Sequence, residues 1–212
     1  ERVETPRNRV APIGAVAREV IARHRAPVPV GKGDHGLGQF TLVKRLSLGL
    51  GDEPVAAGEA GVGEAIARHG GVVEKFIGDA VMALFGAPVP EQDHALRAVR
   101  VGLAMQHEYQ ALMEKWRQRG VKAGPIGVGI ATGPLIAGAM GSARRAEYTV
   151  IGRAANLGAR ICGAAQGREV LISQATYDMA KHLLIVEPRP GQNFKGLGDN
   201  VTVYHVIELL DG

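Results

Sequence analysis

Little in this 212-residue chain is suited to crosslinking, base stacking or membrane insertion. The single cysteine, Cys162, excludes an internal disulfide and any site built on several cysteines. Aromatic residues are 4% of the chain, too few for a base-stacking platform. Charge is nearly balanced: 25 Lys and Arg face 21 Asp and Glu, a net +4. That is not the dense cationic surface of a dedicated nucleic-acid binder. No apolar run reaches the ~18 residues of a membrane helix, and no secretory leader is visible. These absences predict a cytoplasmic domain with no nucleic-acid partner and no membrane segment.

What is present is an ordinary globular composition, 46% hydrophobic and 22% charged. A chain of this length buries about 70% of its unfolded surface and needs no metal or disulfide to fold. The unusual count is 30 glycines, against a usual share of ~7%. Nine of them fall within residues 31–63, where apolar periodicity is weak. Only Phe40–Leu46 and Glu64–His69 hint at helix there. Upstream, Ile13, Val16, Ala17, Val20, Ile21 and His24 follow helical spacing until Pro27 and Pro29 stop it. The expected division is an N-terminal helix or linker over 1–30 and one domain over 31–212.

From residue 64 the pattern sharpens. Val72–Phe76 and Ala80–Phe85 are short apolar runs around Ile77-Gly78-Asp79, which predicts a β-hairpin. A strong amphipathic helix follows, with Ala95, Ala98, Val99, Gly102, Met105, Tyr109, Leu112 and Trp116 on one stripe and Gly120 at its end. Ile126, Val128 and Ile130 alternate with Gly127, Gly129 and Ala131, a strand with one very small face. Gly133-Pro134 is expected to break it, with further strands over Leu135–Met140 and Tyr148–Ile151. A helix over Arg153–Ala165, a strand over Val170–Ile172, a helix capped by Ser173 and a strand over Val201–Ile207 complete the series. Strands, hairpins and helices in this order predict a mixed α/β (α+β) sandwich rather than a parallel doubly wound sheet.

Two small constellations carry chemical potential. Lys75 and Asp79 flank the hairpin turn in Lys-Phe-Ile-Gly-Asp. They are either solvated turn residues or, with Gly78 admitting a ligand to the backbone, a donor and a hard-cation ligand. Asn156 and Arg160 lie four apart and share a helix face. They form either a plain polar face or a clamp for an oxyanion or phosphate.

Both constellations sit inside a longer pattern. RHGGVVEKFIGDAVMALFGAP, EQDHALRAVRVGLAMQ, IGVGIATGPLIAGAMGSARRAEYTVIGRAANLGARI and FKGLGDNVTVYHVIE together resemble the class III nucleotidyl cyclase catalytic domain, across residues 64–207. The resemblance implies a ferredoxin-like mixed antiparallel sheet with flanking helices and a dimerisation arm. It implies conversion of ATP to 3′,5′-cyclic AMP and pyrophosphate, with two Mg²⁺ or Mn²⁺ ions per site and a homodimer. By position, Asp79 matches a metal-binding Asp, Lys75 the purine-contacting Lys, and Thr149, seven before Asn156, the other base-contacting residue. Thr in the Tyr-Thr-Val-Ile-Gly context is similar to a subgroup of adenylate cyclases, which favours ATP over GTP. Asn156 matches the ribose-orienting Asn, Arg160 the transition-state Arg, and Lys195 the Lys on the terminal phosphates. In this family Asp79 of one copy would face Lys75, Thr149, Asn156, Arg160 and Lys195 of the other.

The match departs from the family before residue 64. The other metal-binding Asp belongs in a Phe-x-Asp-x-x-Gly-Phe-Thr-like strand. Aligning on Phe40-Thr41 puts Gly36 there, and counting 44 residues back from Asp79 puts His35 there. Asp34 is the nearest carboxylate, and a one-residue slip would turn it to the opposite face. The composition break suggests a divergent or frame-altered segment, which the coding DNA read in all frames would decide. The alternative function is a degenerate cyclase-like module that dimerises and binds nucleotide in a regulatory role.

Overall fold

The computed structural model describes residues 36–46, 62–77, 80–87, 90–120, 124–142, 145–194 and 198–210. The expected helix at Ile13–His24 lies outside them. The first described element is a strand, β1 (Gly36–Leu46), and a short helix, α1, follows at 62–68. Next comes the hairpin of β2 (Val72–Ile77) and β3 (Ala80–Phe85), and then the long helix α2 (His94–Gln118). β4 (Gly127–Ser142) and β5 (Arg145–Ile151) form a second hairpin leading into α3 (Arg153–Ala164). The chain finishes with β6 (Val170–Ser173), α4 (Gln174–Ala180), β7 (Leu184–Phe194) and β8 (Gly198–Leu209). The strands form one sheet in the order β2-β3-β1-β4-β6-β8-β7, with β5 paired to β4. β4 and β6 run parallel and every other pairing is antiparallel. This is the expected mixed α+β sheet with flanking helices.

Helices cover both faces of the sheet, and β4 shows how. Its Val128 and Ile130 join Val99, Met105 and Tyr109 of α2 in the main core. Its Ala131 packs with Ile161 of α3 on the other face. The glycines on that second face are a requirement of the packing. A Cβ on Gly129 would lie 2.2 Å from the Cys162 nitrogen, and one on Gly127 would lie 2.7 Å from the Ala165 carbonyl oxygen. The small face read in the sequence is the groove in which α3 lies. Cys162 is buried there, as its spacing predicts. α2 buries most of the expected stripe and stops at Gly120, whose φ of +75° suits glycine. Ser173 caps α4 by accepting from the Thr176 N–H at 3.2 Å.

Two local expectations are corrected. Phe40–Leu46 is part of β1, not helix. Its residues pair on both sides, Leu42 with Leu84 of β3 and with Ala131 of β4. Two full ladders outweigh a weak local helical preference. Gly133-Pro134 does not break β4, which runs through it. Ile136 pairs with both Leu37 and Ile151, so β5 lies on the edge of β4 opposite β1. The Thr132 N–H meets the Ser173 hydroxyl on that same edge, and the Pro134 nitrogen, two residues on, faces the same way. β6 pairs only Val128–Ile130 and β5 only from Ile136, so the missing N–H costs no ladder bond. No element is expected from the sequence at residues 184–194, where β7 stands with Pro188, Pro190 and Gly191 in it. It is the last strand of the sheet and pairs only with β8, where proline is tolerated.

Two measurements test this packing. Gly129→Ala forces apart two backbones and should cost about 3 kcal/mol of stability in urea unfolding. His94 is buried at the start of α2, and its desolvation holds the imidazole below the usual range against the opposing pull of Asp93 and Glu91. The unfolded chain therefore takes up the proton first, so stability from this group is present above its ordinary pKa and lost as pH falls through the depressed one. Melting temperature should fall more between pH 7 and pH 5 in the wild type than in His94→Gln.

Candidate functional site

β2 and β5 are separated in sequence by the whole of α2 and β4, yet each contributes a side chain to one contact. The Lys75 ammonium donates to the Thr149 hydroxyl at 3.1 Å. Lys75 also ion-pairs with Glu74 Oε1 at 2.9 Å. An ammonium has three hydrogens. Among the described residues one goes to the Thr149 hydroxyl, the ion pair with Glu74 holds the ammonium by charge, and donor capacity is left for a ligand. The Thr149 hydroxyl, accepting from Lys75, retains its own hydrogen and one lone pair.

α3 starts directly after β5, with Gly152 at its N-cap. Asn156 and Arg160 lie on the exposed face of this helix, while Ile161 and Cys162 are buried against the sheet. Among the described residues neither the Asn156 amide nor the Arg160 guanidinium has a hydrogen-bond or ion-pair partner. Both are thus presented to solvent by a helix whose other face is locked onto β4.

The structure brings Lys75 and Thr149 together and puts Asn156 and Arg160 on one accessible helix face. Asp34, Asp79 and Lys195 lie outside the described residues, so their placement as ligands is untested. Their neighbours are described: Ile77 pairs with Ala80, and Phe194 with Gly198. Among the described residues no three His, Cys, Asp or Glu side chains gather to hold a metal ion. Glu74 is a member of the cluster that motif spacing does not reveal. Its one signal in the sequence is a carboxylate inside the otherwise apolar run Val72-Val73…Phe76-Ile77. Among the described residues no helix is long and apolar enough to cross a membrane.

This fold has counterparts among known proteins. The profile of the Adenylate and Guanylate cyclase catalytic domain matches residues 64–208. Adenylate cyclase 1 of Rhizobium meliloti is 31% identical over 149 residues, 69% of this chain and 22% of that protein. The terminal-differentiation-specific adenylate cyclase of Dictyostelium discoideum is 33% identical over 153 residues, 68% of this chain and 7% of that protein. The crystal structure of the adenylyl cyclase CyaB from P. aeruginosa superposes with a TM-score of 0.76 at 29% identity, covering 80% of this chain and 94% of that one. The guanylyl cyclase Cya2 gives a TM-score of 0.76 at 30% identity, covering 82% and 94%. With more than half its length matched, this chain belongs to the adenylate and guanylate cyclase catalytic domain family. It spans less than a quarter of the length of the two adenylate cyclases from Rhizobium and Dictyostelium.

Because Asn156 and Arg160 are exposed and make no polar contact among the described residues, their replacement by Ala should leave unfolding free energy within about 0.5 kcal/mol of wild type. Chemical denaturation of both variants checks this.

Proposed function

We propose that the domain is an adenylate cyclase that converts ATP to 3′,5′-cyclic AMP and pyrophosphate in a site shared by two copies of the chain. The observation that carries this reading is the Lys75–Thr149 contact. An adenine edge offers an acceptor at N1 and a donor at the exocyclic amine. The free Lys75 hydrogen suits the first and the open Thr149 lone pair the second. Guanine presents a donor at N1 and an acceptor at O6, so the same pair would have to shift by one position along the base edge to read it.

The remaining roles follow from the chemistry of cyclisation. The ribose 3′-oxygen attacks the α-phosphorus, and the bond to pyrophosphate breaks. Asn156 would orient the ribose. Arg160, unpaired among the described residues, would offset charge developing on the α-phosphate, and Lys195 charge on the leaving pyrophosphate. Mg²⁺ or Mn²⁺ ions, held by Asp79 and, in this reading, Asp34, would lower the pKa of the 3′-hydroxyl and screen the triphosphate.

A homodimer is part of the same reading, with Asp79 of one copy facing the base and phosphate groups of the other. Ile136 and Ile151 pair across β4 and β5, and both are exposed, Ile151 at 56%. Ile77, two residues beyond Lys75, is exposed as well. Apolar side chains around the site favour burial against a second copy.

The test is direct. Purified protein with ATP and Mn²⁺ should form cyclic AMP, and Arg160→Ala or Asp79→Ala should lower kcat by about 10²–10³. ATP binding with no product above the Asp79→Ala background would replace this reading with the degenerate regulatory module. Faster turnover of GTP than of ATP would reverse the base assignment. A monomer at active concentrations would remove the shared site.

A further inference from the structure

Glu74 is an anomaly in β2. Val73 pairs with Ala83 and Lys75 with Met82, so Glu74 is the extra residue of a β-bulge. In a regular strand, neighbours point to opposite faces, and the side chains of residues 74 and 75 could not meet. Here the bulge re-aims them, and Glu74 Oε1 lies 2.9 Å from Lys75 Nζ. The Glu74 side chain is wholly buried, while that of Lys75 is 39% exposed. Neither carboxylate oxygen of Glu74 accepts a hydrogen bond from the described residues. The Lys75 ammonium is therefore its one compensating partner among them.

We propose that Glu74 is a positioning residue for purine selection: a buried carboxylate that anchors Lys75 so that its ammonium meets the base edge rather than the triphosphate. The proposal deepens the nucleotide-cyclase reading and rests on it. A lysine on a flexible stem is a point charge that any phosphate can capture. Held by charge at Glu74 and by a hydrogen bond at Thr149, Lys75 becomes a directional donor. Its charge is also offset locally, which weakens its pull on the triphosphate. A buried charge with one partner holds that partner firmly, because losing it leaves the charge uncompensated. The bulge thus converts a mobile cation into a fixed reader of one purine edge.

The experiment measures KM and kcat for ATP and GTP in the full chain, as wild type, Glu74→Gln, Lys75→Met and the double variant, with melting curves to confirm folding. Glu74→Gln keeps the shape and removes the charge. It should raise KM for ATP and erode the ATP-to-GTP preference by about tenfold each, with kcat little changed. In the Lys75→Met background the same substitution should add nothing, a result that a purely structural role would not produce. If wild type is active and Glu74→Gln leaves KM and preference within about twofold, or changes them by the same factors in the Lys75→Met background, the proposal fails and the cyclase reading stands. If wild type binds ATP without turnover, the cyclase reading fails, and the proposal is judged by the same criteria on ATP and GTP dissociation constants. No binding of either nucleotide overturns both. Should Glu74→Gln not fold, Glu74→Asp, whose carboxylate is drawn back by one methylene, is judged against the same thresholds.

Discussion

A helix can approach a strand only as closely as the side chains between them allow. In this domain that limit is set by Gly127 and Gly129, where a Cβ would strike the backbone of Ala165 and Cys162. With those positions bare, α3 lies directly on the middle of the sheet. The consequence reaches the site. One face of the helix is held by Ile161 and Cys162, so the opposite face, with Asn156 and Arg160, has a fixed direction and height above the sheet. A polar clamp on a loosely packed helix would lose that registration, and catalytic positioning tolerates little slack.

The second constraint is electrostatic. Lys75 stands between a wholly buried carboxylate and a hydroxyl from a distant strand. The hydroxyl contact uses one donor hydrogen, and both contacts restrict the stem. Recognition of a purine edge, the role proposed for Lys75, depends on the direction of a donor and not on charge alone. The strand bulge and the β4–β5 hairpin are the two irregular features that bring these groups into contact. Bulges commonly serve to re-aim a side chain beside a functional site.

The elements legible in the sequence share a property: their signal is local. The stripe on α2, the alternation in β4, the Ser173 cap and the β2–β3 hairpin are each written within a few residues. The elements that differ from expectation depend on partners elsewhere. Phe40–Leu46 becomes a strand because β3 and β4 pair with it on both sides. Pro134 sits inside β4 because its missing donor faces a stretch of edge that neither β6 nor β5 pairs. β7, where no element is expected from the sequence, carries two prolines at the end of the described sheet. In each case the tertiary ladder, not the local propensity, supplies the deciding hydrogen bonds.

For the site the division is similar. Residue spacing marks the pairs Lys75–Asp79 and Asn156–Arg160, and the family resemblance adds Thr149 and Lys195. The family follows from that pattern and is matched over residues 64–208. That the Lys75 and Thr149 side chains touch, that Glu74 is buried beside them and that Arg160 stands free among the described residues could come only from three dimensions. Burial and pairing are sums over residues far apart in the chain, and no window of sequence contains them.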